Sequence, residues 1–191
     1  LQHMLDQLIN LVKENAGQAI LNNAAIPAER KEEAVQVAGD SVIGGLQQAL
    51  SQGNVMDVVN MFAGRSSNLQ ENPVTNQISG SLINQMASKF GLSNSQASGI
   101  AGSLIPTVLG QLIKRTNDPN DNGFNVQDIF NQLSGGKTSG LNVGAIISKL
   151  SSGLDQDGDG DVDMQDLMSM FAGSGSGGGG GLFDKVKNMF K

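Results

Sequence analysis

The sequence contains no cysteine, no tryptophan and no tyrosine, and His3 is its one histidine. Without cysteine the chain cannot form disulfides, thiolate metal sites or a thiol nucleophile. Serine is plentiful, but no cysteine or tyrosine, and no histidine beyond His3, is present to activate it as a nucleophile. Asp and Lys remain as general acids or bases, yet outside one acidic loop no pattern groups them. We therefore expect a protein that is not an enzyme.

Long hydrophobic runs are missing as well, since no stretch approaches the roughly 20 apolar residues of a membrane span. From Met4, the sequence MLDQLINLVKENAG places acids and amides where a signal peptide requires a continuous apolar run. The letters LQH ahead of Met4 are typical of residues left by cloning, so residues 1–3 are expected to precede the native start. A cytoplasmic location follows as the default expectation, with export by a non-classical route left open.

The excess of acidic residues is confined to one place. There are 18 acidic and 12 basic residues, which gives a formal charge of −6. Six of the acids lie in residues 155–166, and the rest of the chain is formally neutral. This local acidity favours a cation site over a general surface charge. No basic stripe is available to contact phosphates, so nucleic acid is not an expected partner.

Apolar residues recur at the three-and-four spacing of amphipathic helices, as Leu8, Ile9 and Val12 do near the start of the chain. Helix-start and helix-stop residues flank another apolar segment, with a predicted cap at Asn72 and a predicted end at Gly91. Long alternating runs of β-branched residues are absent, so strands are not expected. The sequence predicts an all-α fold, a compact bundle of short capped helices.

A short unit occurs in four similar copies, at 53–64, 124–135, 141–152 and 162–173. Each copy has Asn or Asp at its second position, followed by apolar residues at helical spacing. The predicted helix caps are Asn54, Asn125, Asn142 and Asp163. Helices this short are not stable alone in water, so each copy is expected to dock its apolar face on the rest of the chain.

The acidic loop lies within LDQDGDGDVDMQDLMSMF, residues 154–171, which contains no basic residue. Counted from its first aspartate, the loop has Asp at positions 1, 3, 5, 7, 9 and 12, Gly160 at position 6 and Val162 at position 8. Calcium takes six to eight oxygen ligands, and this spacing supplies them while the glycine permits a sharp turn. The predicted calcium ligands are Asp155, Asp157, Asp159, Asp161, Asp163 and Asp166. A loop that binds only magnesium, or no metal, is the alternative.

This pattern resembles an EF-hand loop, and over residues 154–173 it resembles the dockerin variant in particular. Dockerin loops also carry Asp at position 12 and usually lack a regular incoming helix. The resemblance implies a calcium loop whose exiting helix packs on the domain. Dockerins carry two such loops, whereas one complete loop is present here.

The segment NDPNDNGFNVQD, residues 117–128, is the candidate second loop. In the same numbering, Pro119 stands at position 3 and supplies no ligand, and Asn122 replaces the glycine at position 6. We interpret the segment as a degenerate loop that keeps the same turn through hydrogen bonds, with metal binding as the less favoured alternative. The residues that could contribute to a metal site are Asn117, Asp121, Asn125 and Asp128.

Residues 80–133 resemble the YidB-like bacterial family of uncharacterised proteins. The resemblance is carried by KFGLSNSQASGIAGSLIPTVLGQL, in which a helix ends at Gly91, restarts after a cap and continues through small residues to the letters LIP. Such proteins are helical and have no established catalytic residues. The resemblance therefore implies a helical fold and supplies no activity.

The last residues combine a linker with an amphipathic tail. SGSGGGGG, 174–181, has the composition of a linker, and LFDKVKNMFK, 182–191, has apolar and basic residues on different sides. MLDQLINLVK, 4–13, shares its Asp, its Asn, its final Lys and most apolar positions with this tail, which suggests similar docking partners for the two ends. The apolar tail residues expected to contact a partner or a membrane are Leu182, Phe183, Val186, Met189 and Phe190.

These segments predict a helical domain over 4–153, a calcium loop with its exiting helix over 154–173, and then the linker and tail. The predicted function is that of a non-catalytic calcium-binding protein that acts through protein contacts. Calcium would order the C-terminal segment, and the partner would be an unidentified protein or a second copy. The alternative is a peripheral membrane protein whose tail lies on a lipid surface.

Overall fold

In the computed structural model, residues 2–151 are described apart from 66, 67, 119 and 122, and every regular element in that part is a helix. The α-helices are α1 (Gln2–Asn15), α2 (Lys31–Ser51), α3 (Val55–Phe62), α4 (Pro73–Phe90), α5 (Asn94–Thr116), α6 (Val126–Leu133) and α7 (Val143–Ser151). A π-helical turn (Gly17–Leu21) and a 3₁₀ turn (Ala28–Arg30) lie between α1 and α2. The all-α prediction is confirmed for the described residues, whereas the predicted calcium loop lies outside them. None of the described helices combines the length and the hydrophobicity that a bilayer span requires.

The ends of α4 follow from local signals in the sequence. Asn72 Oδ1 accepts a hydrogen bond from Val74 N at 2.9 Å, and Pro73 occupies the first helical position. The helix ends at Gly91, whose φ of 67° places it in the left-handed region that glycine adopts most readily. The predicted start and stop of this helix are therefore confirmed.

Helix α5 restarts after a reciprocal cap and runs through a proline. Ser93 Oγ accepts from Gln96 N at 3.2 Å, and Gln96 Oε1 accepts from Ser93 N at 3.0 Å. Pro106 lies inside the helix and has no N–H to donate to the carbonyl of Gly102. Gly102 is exposed, so water can reach that carbonyl and the helix continues.

The core is built where the long helices meet. Helix α4 packs on α2 and α5, and α1 covers parts of α2 and α5. A Cβ placed on Gly45 of α2 would lie 2.3 Å from Ile78 Cγ1 of α4, so glycine is what allows these two helices to approach closely. Ile78 is fully buried and β-branched, which leaves it few alternative rotamers.

The three short helices form a group beside this core. Helices α3 and α6 each contact α2 and α7, and the rings of Phe62 and Phe130 meet edge to face with centroids 5.4 Å apart. The side chain of Asn142 accepts from Ala145 N at 3.0 Å, in agreement with its predicted capping role. The predicted cap at Asn54 is wrong, because its side chain makes no capping bond and its φ and ψ of −81° and 33° are not those of an extended cap residue.

The close approach of α2 and α4 can be tested with a pair of neighbouring glycines. We expect Gly45→Ala to destabilise the protein by about 1–3 kcal/mol through overpacking against Ile78, with only partial compensation from helix propensity. Gly44→Ala is the control, since nothing lies within 4 Å of its added Cβ, and we expect a gain of up to about 1 kcal/mol. Urea unfolding measures both changes, and equal effects of the two substitutions would contradict this packing.

Candidate metal site

The predicted calcium ligands of the acidic loop, and the apolar residues of the tail, lie outside the described residues. The related loop 117–128 lies inside them, between α5 and α6, apart from Pro119 and Asn122. Its geometry shows how one member of this pair of loops satisfies its polar side chains.

The carboxylate of Asp121 forms an ion pair with an arginine of the same chain. Arg115 Nε, at the end of α5, donates to Asp121 Oδ2 at 2.7 Å, and Gly123 N donates to Asp121 Oδ1 at 3.0 Å. The bond from Arg115, and to a smaller extent that from Gly123, hold the pKa of Asp121 below its usual value although partial burial opposes them. The carboxylate therefore stays ionised to a lower pH than an unpaired aspartate would.

The same arginine also packs against the apolar residue of the loop. Phe124, at position 8, is 2% exposed and fixes the loop to the core. The guanidinium carbon of Arg115 lies 4.2 Å from the centroid of the Phe124 ring, within the range of a cation–π contact. Arg115 thus joins the charged and the apolar halves of the loop.

Two of the other predicted ligands of this loop have hydrogen-bond partners of their own, and the third is exposed. Asn117 Nδ2 donates to the carbonyl of Phe62 at 2.9 Å and so ties the loop to the end of α3. Asn125 Oδ1 accepts from Gln127 N at 2.9 Å and from Asp128 N at 3.3 Å, which caps α6 as predicted. Asp128 is exposed on the first turn of α6.

Taken together, these contacts close the turn with hydrogen bonds and one ion pair. A further bond, from Asn120 N to Asp118 Oδ1 at 2.9 Å, tightens the exposed part of the turn. Within the described ranges no three acidic or histidine side chains are grouped so that they could hold a metal ion. In loop 117–128 the positive charge beside the position-5 aspartate is a guanidinium.

A polar network that the sequence did not reveal fixes the connection from α6 to α7. Gln127 Oε1 accepts from Val143 N at 2.8 Å, so a side chain of α6 satisfies the first N–H of α7. Asn131 Oδ1 accepts from Thr138 Oγ1 at 3.0 Å, and the hydroxyl oxygens of Thr138 and Ser134 are 3.1 Å apart. Gln127 and Val143 are 16 residues apart, so no local motif indicated the bond between them. Since α7 ends at Ser151, this network anchors the chain shortly before the acidic loop.

One open depression, of about 260 Å³, lies between the π-helical turn and the first half of α5. Sequence reasoning did not anticipate it. Its polar lining consists of amide and hydroxyl side chains: Gln18, Asn23, Ser95, Gln96 and Ser103. None of the described residues that line it is titratable, so this surface brings together no acid, base or charged ligand.

Residues 72–145 match the model of a family described as "bacterial protein of unknown function (DUF937)". The match begins at the cap of α4 and ends within α7, so it includes α5, loop 117–128 and α6. This match confirms the prediction that residues 80–133 resemble an uncharacterised bacterial family, and it does not extend to the YidB-like assignment. No curated protein and no solved structure matches the chain.

The ion pair between Arg115 and Asp121 predicts a specific pH dependence. Because the pKa of Asp121 is lowered on folding, its stabilising effect is present above the unfolded value near 3.9 and is lost as the pH falls through the lower folded value. We expect Asp121→Asn to be less stable than the parent protein at about pH 6, with the difference shrinking by about pH 2.5. Urea unfolding in chelator measures this difference.

Asp118→Asn is the matched control for that experiment. An asparagine at 118 keeps the oxygen that accepts from Asn120 N, so we expect little change in stability at either pH. If the stability difference between the parent protein and Asp121→Asn is independent of pH, the ion pair contributes nothing and the description of this loop is wrong.

Proposed function

We propose that this chain is a non-catalytic calcium-binding helical protein that acts through protein contacts, with calcium bound at residues 155–166 ordering its C-terminal segment. We also propose that the acidic loop is similar to dockerin loops and that residues 80–133 are similar to YidB-like proteins. The family matched by residues 72–145 is of unknown function and adds no activity to it.

The observation that carries the proposal is a complementary exchange of charges between the two loops. When they are aligned on their position-12 aspartates, Gly153 stands where loop 117–128 has Arg115. In exchange, the acidic loop carries Asp157 where loop 117–128 has Pro119, and Asp161 where loop 117–128 has Gly123. The acidic loop, which has glycine at the position aligned with Arg115, therefore carries more carboxylates in its sequence than loop 117–128.

The shared positions support the same turn in both loops. At position 8, loop 117–128 has the buried Phe124 and the acidic loop has the apolar Val162. At position 9, loop 117–128 has Asn125, which caps α6, and the acidic loop has Asp163. An aspartate can cap a helix as asparagine does, so the helix predicted after the acidic loop can begin in the same way.

A divalent ion is the partner best suited to six aspartates in a segment, 154–171, whose sequence contains no basic residue. Carboxylates at this spacing repel each other, and a hard cation with six to eight oxygen ligands offsets that repulsion. Because such a site does not exist in the unfolded chain, the free energy of binding stabilises the folded segment. Calcium fits this oxygen-only ligand set better than a transition metal, which favours histidine or cysteine.

The proposal predicts that calcium raises the melting temperature of the metal-free protein. A ligand at about 100 times its dissociation constant stabilises the folded state by about 2.7 kcal/mol. We expect Asp155→Ala and Asp166→Ala each to abolish this increase, because they remove the proposed ligands at the first and last positions of the loop. Thermal unfolding followed by circular dichroism, with and without chelator, measures the effect.

Asp128→Ala is the matched control, since Asp128 has the position in loop 117–128 that Asp166 has in the acidic loop. We expect this variant to keep the full response to calcium. A melting temperature that is the same in calcium and in chelator for the parent protein would refute the proposal.

A further inference from the structure

The N-terminal helix α1 is amphipathic and packs its apolar face against the rest of the helical domain. Leu8, Leu11 and Val12 are almost fully buried where α1 covers α2 and α5. Lys13 Nζ lies 2.9 Å from Glu32 Oε1 of α2, at the edge of this contact. We refer to the surface of α2 and α5 that α1 covers as the α1 site.

Two half-buried positions complete the register of α1. A Cβ placed on Gly39 of α2 would lie 3.7 Å from Ile9 Cβ, so α1 approaches α2 closely at this point. The amide of Gln7 lies near Gly123 and Asp121, in the loop between α5 and α6. A Cβ placed on Gly123 would be 3.1 Å from Gln7 Nε2 and 3.2 Å from Asp121 Oδ1.

Residues 182–191 reproduce this pattern without a gap. Asp184, Asn188 and Lys191 repeat the Asp, Asn and Lys of residues 4–13 at the same spacing. The three buried positions of α1 remain apolar in the tail, and in order they are Val186, Met189 and Phe190. A smaller residue replaces Leu8 and a larger one replaces Val12, so the two changes in volume oppose each other.

The polar positions of the tail also suit the α1 site. In this register Lys191 takes the place of Lys13, beside Glu32. Lys185 takes the place of Gln7, near Asp121, whose carboxylate is already paired with Arg115, so this position accommodates a lysine without selecting for it. Lys187 takes the place of the half-buried Ile9, where its aliphatic stem can lie against Gly39 while the ammonium reaches water.

The chain between α7 and the tail is long enough for the tail to reach its own α1 site. In the metal-free chain, residues 152–181 separate Ser151 from the tail, and 30 residues span at most about 100 Å when fully extended. A small domain is only about 30 Å across. Attachment to the same chain also gives the tail a high effective concentration at that site.

We propose that residues 182–191 bind the α1 site of their own chain in the register of residues 4–13, in competition with α1. Whichever end is displaced then presents its apolar face to a partner, so the exchange makes the two termini alternative contact segments. The contacts used in this inference are those of α1 and the tail, and its test is run in chelator, so it can fail while the proposed calcium site stands.

Engineered disulfides test the register directly, since the chain has no native cysteine. Disulfides require Cβ atoms about 3.5–4.5 Å apart, a distance that position 39 offers to position 9. Gly39→Cys is therefore combined with Lys187→Cys, which replaces the counterpart of Ile9. We expect this pair to form an intramolecular disulfide in the full-length chain under oxidised glutathione and chelator.

The control combines Gly39→Cys with Asn188→Cys, which has the same linker but lies about 100° further around a helix. We expect it to link several-fold more slowly, whereas Gly39→Cys with Ile9→Cys confirms that position 39 can react. Equal rates for the 187 and 188 pairs, or no disulfide in the 187 pair, would overturn the proposal. A disulfide-linked dimer would also overturn it, by placing the tail on a second copy.

A second measurement tests the competition with α1. Val12→Ala is the mildest truncation among the buried positions of α1, and it weakens the docking of α1 alone. We expect it to increase the rate at which the 39–187 disulfide forms, and an unchanged rate would contradict competition. If the 187 pair stays unlinked while the chain, but not a chain ending at Gly181, pellets with anionic vesicles, the tail belongs to a membrane surface instead.

Discussion

Carboxylates gathered in one short loop repel each other unless a positive charge lies beside them, and the charge pattern of this protein depends on that constraint. In loop 117–128 the positive charge comes from Arg115, which pairs with Asp121 and stacks on the buried Phe124. The aligned loop at 155–166 has glycine in place of that arginine and additional aspartates. We infer that the two loops are variants of one turn, one neutralised by a side chain and the other by a calcium ion.

Short helices impose a second constraint, since they persist only when docked. Helices α3, α6 and α7 meet this requirement as a group, through the contact of Phe62 with Phe130 and through the bond from Val143 N to Gln127. The N-terminal helix meets it by covering α2 and α5. We propose the same for the tail, whose sequence repeats the pattern of α1, with the α1 site as its docking surface.

The sequence predicted the features that depend on neighbouring residues. Asn72, Gly91 and the Ser93–Gln96 box mark helix ends correctly because their hydrogen bonds span only a few residues. The cap at Asn54 failed because a capping bond also requires an extended backbone, and the chain enters α3 with other dihedral angles. The partners of Gln127 and Asn117 could not be predicted, since both bonds join distant segments. For the candidate metal site, the spacing of the aspartates in 155–166 is readable from the sequence. The role of Arg115 depends on the fold, because this residue lies outside the loop whose carboxylate it pairs.

The central claim is that a guanidinium serves loop 117–128 and a calcium ion serves loop 155–166. Calorimetric titration of the metal-free, full-length protein with calcium tests it most directly, because the experiment counts sites. The account predicts a single calcium site per chain that is unchanged by Asp128→Ala and lost in Asp155→Ala. The absence of binding, or two sites per chain, would contradict it.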